Sequence, residues 1–136
     1  GGFLANIEFR AGEDKVLIQL EISTRDKTGQ GEVITIVSGF VPPYTVIALS
    51  LDQMVDEKIK ALLFRKKPRD FYDLYFILRS NLLPAGKRVV LPQVLTTLKK
   101  SSLNFQRELK LFLPKSHWPI IKNFKYSLEN EIQRYI

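Results

Sequence analysis

A chain of 136 residues that is 45% hydrophobic and 26% charged has the balance of one folded domain rather than a disordered tail. With no cysteine and a single histidine, His117, it lacks a disulfide framework and the ligands of a thiolate or multi-histidine metal site. Its net charge of +7 lies wholly in residues 81–136, where 10 Lys/Arg face only Glu108, Glu129 and Glu131, while residues 1–80 balance at 11 of each sign.

Residues 3–9 and 16–22 read as strands joined by the turn-like Ala11-Gly12-Glu13-Asp14. In the second strand Val16, Ile18, Leu20 and Ile22 share one face, and Leu17, Gln19 and Glu21 take the other. Residues 33–37 form a third β-branched run after a loop containing Thr28-Gly29-Gln30-Gly31. Pro42-Pro43 forces an extended stretch, and residues 44–48 suit a short fourth strand.

The period then becomes helical. Ser50 and Gln53 have the spacing of a capping box, and Met54, Ala61 and Leu62 give the helix that follows an apolar side. Lys58 and Arg65 lie two turns apart on one flank. Pro68 fits the first turn of a second helix over about 69–80, where Phe71, Leu74, Tyr75 and Leu78 form a stripe widened by Tyr72 and Phe76. So broad an apolar surface predicts burial on most sides. Leu83-Pro84-Ala85-Gly86 and Leu113-Pro114 mark breaks, and helices are expected over 91–99, 102–113 and 119–136, the last capped by Ser116. Trp118 reads as a core anchor, and His117 as a surface or capping residue. The expected fold class is α+β, with an antiparallel or mixed sheet remnant followed by helices. No apolar run approaches the roughly 18 residues of a membrane span. No signal peptide is evident either, so a cytoplasmic protein without a membrane partner is expected.

Asp70 and Asp73 are the residues that a buried apolar helix does not explain. They lie three apart on one face, and an unpaired ionised carboxylate there would cost several kcal/mol or take up a proton. Lys58, Arg65 and Arg69 are the cations within reach, with Arg69 also placed at i, i+4 to Asp73. Two readings follow. The charges form an ion network that docks the helices, or they line a cleft in which Lys58, Arg65 and Arg69 bind phosphates and an aspartate orients a metal or deprotonates a hydroxyl. The basic C-terminal region, with Lys99, Lys100, Arg107 and Lys110, is either a solvated helical surface or a face for phosphate-bearing partners.

Glu57-Lys58-x-x-Ala61-Leu62-x-x-Arg65 followed by Arg69-Asp70-x-x-Asp73-Leu74-Tyr75 resembles the AbiEii/AbiGii toxin family of nucleotidyltransferases. The resemblance covers residues 15–80 well and the remainder loosely. It implies a DNA-polymerase-β-like enzyme that transfers a nucleotide from a nucleoside triphosphate, with Mg2+, to an acceptor such as tRNA. It also implies a toxin–antitoxin or abortive-infection setting with an antitoxin partner. The family's essential lysine then falls on Lys58, and its aspartate on Asp70 or Asp73. The family's Gly-Ser motif with paired aspartates is absent: Ser38-Gly39 leads into Phe-Val-Pro-Pro. Glu21 is a candidate third carboxylate of the metal cluster or an outward-facing strand residue, but one carboxylate cannot hold two metal ions.

These observations read as the C-terminal part of such an enzyme, with Gly1-Gly2 a cut end. Residues 1–80 would close a nucleotidyltransferase-like domain and 81–136 would form a basic helical domain. The isolated chain is then expected to need no cofactor and to catalyse nothing, with an incomplete sheet open to self-association. The alternative is a non-enzymatic module that binds nucleic acid or protein.

Overall fold

The computed structural model describes residues 1–23 and 31–136, and its architecture is α+β with strands preceding helices. Of the expected Thr28-Gly29-Gln30-Gly31 loop only Gly31 lies within the described residues. The chain forms two compact units, Gly1–Leu49 and Ser50–Ile136.

In the first unit β1 (Gly2–Ala11) pairs antiparallel with β2 (Asp14–Ser23) across Gly12-Glu13. Gly12 has φ +63°, and among the two central residues only it is left-handed, the pattern of a type II′ hairpin turn with glycine first. The register sets Phe3 against Ile22, Ala5 against Leu20, Ile7 against Ile18 and Phe9 against Val16. Strict alternation thus gathers eight apolar side chains on one face. Phe3, Ile7, Phe9, Val16, Ile18, Leu20 and Ile22 of that face are all exposed. β3 (Gly31–Ile36) and β4 (Tyr44–Leu49) make a second antiparallel pair, with Val33 opposite Ile47. Among the described residues neither sheet has a third strand, so the outer edges of both hairpins carry unpaired ladder groups.

The second unit contains every buried hydrophobic side chain among the described residues. Its first helix, α1 (Leu51–Arg65), starts where the Ser50 hydroxyl accepts the Gln53 N–H at 3.3 Å, as the Ser-x-x-Gln spacing predicts. It ends at Lys66, which turns left-handed with φ 53°. Pro68 opens α2 (Pro68–Arg79), where its missing N–H costs no helical bond. α2 buries Phe71, Tyr72, Leu74, Ile77 and Leu78, and closes in a Schellman motif with Asn81 left-handed and the Leu82 N–H bonded to the Ile77 carbonyl.

A 3-10 turn over Ala85–Val90 leads into α3 (Leu91–Lys100). Lys87 of that turn bonds Asp56 of α1 at 2.5 Å. Beyond α3 the structure departs from the expected helices. The run over 102–113 yields only α4 (Phe105–Leu109), because the Asn104 side chain accepts the Arg107 N–H and caps the helix there. The single helix expected over 119–136 is instead α5 (Trp118–Ile121) and α6 (Phe124–Gln133), separated at Lys122-Asn123. Asn123, with φ −122° and ψ 35°, leaves the helical region, as asparagine readily does. Ser116 caps neither helix and lies inside a 3-10 turn, Lys115–His117. Ile121 and Phe124, on either side of the break, are both in the core, where Phe124 packs against Phe105, Tyr72 and Tyr75.

Candidate functional site

The α1–α2 pair sorts the charges of the sequence motif into two bridges of different character. Arg65 Nη2 donates to Asp70 Oδ1 at 2.6 Å, and the Lys67 N–H donates to Asp70 Oδ2 at 3.1 Å. The Asp70 side chain is 1% exposed. Both of its oxygens are therefore committed, one to a guanidinium and one to an orphan amide of the first turn of α2, where the helix dipole also favours negative charge. This carboxylate fixes the connection between the helices.

Asp73 sits one turn further on and meets a different partner. Lys58 Nζ donates to Asp73 Oδ2 at 2.6 Å, with Lys58 46% and Asp73 34% exposed. Arg69, the other candidate partner of Asp73, does not take it. Arg69 instead lines a small cavity of about 130 Å3 with Glu108 and Phe112. The Lys58–Asp73 pair borders a cleft of about 360 Å3 whose remaining wall is mostly apolar, from Met54, Tyr72, Phe76, Ile77 and Leu82. A cleft of this size with one convergent ion pair has the build of a small-ligand site.

Behind the cleft, Tyr72 bonds through its hydroxyl to His117 Nδ1 at 2.5 Å, and Phe76 stacks on the His117 ring at 5.9 Å between centroids. Burial, and then the neighbouring Tyr75, raises the Tyr72 hydroxyl above its ordinary range and keeps it neutral. His117 occupies the N-cap position of α5, as the capping expectation has it, but its half-buried side chain makes no cap bond and braces the cleft wall instead. Trp118 is the anchor expected: it packs against the core and donates its indole N–H to the Leu113 carbonyl at 3.3 Å.

Within the second unit the C-terminal basic candidates do not line this cleft. Glu21 stands on β2 opposite Leu4 in the other compact unit. Among the described residues no three His, Asp or Glu side chains gather closely enough to cage a metal ion. Asp70 and Asp73 are both bound to cations, so the described carboxylates do not fit a two-magnesium centre. The four basic residues of the C-terminal region have different surroundings. Lys110 lies over the Trp118 ring at 4.9 Å, Lys100 lines an open cavity, the Lys99 carbonyl accepts from Lys125, and Arg107 is on the exposed side of α4. The cleft wall was missed in the sequence because Tyr72 and Phe76 read as a widened core stripe. The available signal was that they flank Asp73 at i−1 and i+3.

A family model described as "Nucleotidyl transferase AbiEii toxin, Type IV TA system" matches residues 1–129. No curated protein and no solved structure matches the chain.

Proposed function

The chain belongs to the AbiEii nucleotidyltransferase toxin family, and from that premise we propose that its α1–α2 cleft handles the nucleoside triphosphate in nucleotide transfer to an RNA acceptor such as tRNA. The observation that carries this reading is the Lys58–Asp73 pair at the border of an apolar cleft. A half-exposed pair of this kind contributes no more than about 1 kcal/mol to folding, so a phosphate oxygen can replace Asp73 on the ammonium at little cost. Asp73 holds the Lys58 amine beside the cleft until phosphate arrives. The exposed edge of Phe76, with Met54, Ile77 and Leu82, offers an apolar wall for the base or ribose. Asp70 and Arg65 hold the helices in place and touch no substrate.

The 136 residues contain no Asp-x-Asp, so the reading assigns the activation of the attacking oxygen to paired aspartates carried elsewhere in the full enzyme. Magnesium belongs with those carboxylates. The exposed apolar face of β1 and β2 is then the surface on which the rest of the catalytic sheet packs, since a two-stranded hairpin is marginal alone. In its absence, a second copy of the chain is the expected substitute. The toxin–antitoxin setting of the family makes an antitoxin the further partner, in the cytoplasm where tRNA and triphosphates are found.

The test is transfer of labelled nucleotide to tRNA with magnesium. The isolated 136 residues should give none, and the enzyme carrying the paired-aspartate motif should give it readily. Transfer by the isolated chain would overturn this division. A second reading, a non-enzymatic nucleic-acid or protein-binding module, rests on the charge of residues 50–136, where 17 Lys/Arg against 8 Asp/Glu leave +9. It predicts no transfer from the full-length protein either.

A further inference from the structure

The helical unit has a second concavity, away from the Lys58 cleft and built differently. An open cavity of about 690 Å3 lies between the segment before α4 and the α5–α6 junction, and a neighbouring one of about 390 Å3 lies at the C-terminal end of α3. They share Ser102 and Leu103, so the two run together as one groove along the α3–α4 connection. Lys66, Lys100, Lys122 and Lys125 line it, and no Asp or Glu does.

None of these four lysines pairs with a carboxylate among the described residues, and the amines of three, Lys66, Lys100 and Lys122, make no hydrogen bond there either. All three are exposed. Lys125 has another task, donating to the carbonyls of Lys99 at 3.1 Å and Ser101 at 3.0 Å, which ties α6 to the end of α3 and holds the groove wall. Tyr126, 67% exposed, lines the same groove and presents its ring to solvent. Gathering like charges without counter-charges is unfavourable for the free protein and is relieved when a polyanion displaces the condensed salt ions. A single phosphate would need a closed cradle. Lysines spread along two adjoining open cavities suit a repeating row of phosphates instead, and a bare aromatic among them suits an unpaired base.

We infer that this groove binds single-stranded polynucleotide, with Lys66, Lys100 and Lys122 on the phosphates and Tyr126 stacked on a base. The inference goes beyond the proposed transfer reaction and gives the acceptor strand a place to lie. It requires no triphosphate and no chemistry, so its success or failure is read separately from that of transfer.

Fluorescence anisotropy of a labelled oligouridylate with the full chain, without triphosphate, tests it. The double variant Lys100→Glu/Lys122→Glu should weaken binding at least about tenfold, and the equally charged control Arg88→Glu/Lys115→Glu no more than about threefold. The dependence of log affinity on log salt should flatten by about 1.4 in the groove variant, since each lost single-strand contact removes about 0.7. Tyr126→Ala should weaken binding about fivefold or more, and Tyr126→Phe should restore it. All of these side chains are exposed, and an unchanged helical circular dichroism spectrum confirms that each variant is folded. Equal weakening by groove and control variants would overturn the assignment, as would absence of binding by the wild-type chain. Equal competition by polyglutamate would overturn it in favour of an acidic protein partner, and equal affinity for duplex RNA would remove the role of Tyr126.

Discussion

Asp70→Ala is expected to destabilise the helical unit by about 3 kcal/mol, whereas Asp73→Ala should cost less than about 1 kcal/mol. The two aspartates are one turn apart and both hold a cation, so charge counting alone would rank them equally. Burial separates them. Removing the Asp70 carboxylate, 1% exposed, strips Arg65 of its partner and leaves the Lys67 N–H without its acceptor. Arg65 is partly in solvent, which places the cost at the low end of that for a broken buried pair. Asp70→Asn keeps an acceptor for the Lys67 N–H and should cost about half as much. Urea unfolding followed by helical circular dichroism measures all three. Equal costs for Asp70→Ala and Asp73→Ala would contradict the distinction between a structural and a functional carboxylate.

The larger effect falls on activity. On the proposed reading, Lys58→Ala in an enzyme that carries the paired aspartates should lower kcat/KM for the triphosphate by about 10²–10³, the usual consequence of removing one preorganised charge from a phosphoryl-transfer site. Asp73→Ala should lower it by about tenfold, because the Lys58 amine remains but loses the carboxylate that holds it beside the cleft. Neither variant should shift the melting temperature by more than about 2 °C, given the exposure of both side chains. Kinetics and melting curves on the same preparations make the comparison. Retained activity in Lys58→Ala would return Lys58 and Asp73 to the role of helix clamps.

The strands were legible because their alternation is clean: the Phe3, Ile7, Phe9 and Val16, Ile18, Leu20, Ile22 faces follow directly from period two, and Gly12 marks the turn. Ser50 and Pro68 placed the starts of α1 and α2 for equally local reasons, a hydroxyl acceptor and a missing donor. The C-terminal third was less legible. Apolar residues at helical spacing continue through Lys122-Asn123, with Ile121 and Phe124 both buried at i, i+3, yet the Asn123 backbone leaves the helical region there. Periodicity records which face is apolar and not where the axis bends.

The candidate site was legible as a set of residues and not as pairs. Lys58, Arg65, Asp70 and Asp73 were all identifiable from type and spacing. The assignment of Asp70 to Arg65 and of Asp73 to Lys58 depends on how two helices dock across the Lys66-Lys67 connection. The braces behind the cleft were beyond reach, because Tyr72 and His117 are 45 residues apart and meet only when the helices pack.

The most direct measurement of the central claim is an NMR titration of the chain with a nucleoside triphosphate, in the wild type and in Lys58→Ala. Saturable shifts should concentrate on amides around the cleft, those of Met54, Lys58, Asp73, Phe76, Ile77 and Leu82, and should be lost in Lys58→Ala while the rest of the spectrum is preserved. Saturable shifts at the cleft that persist undiminished in Lys58→Ala, or binding confined to the groove of Lys100 and Lys122, would contradict the assignment of the triphosphate to the Lys58–Asp73 cleft.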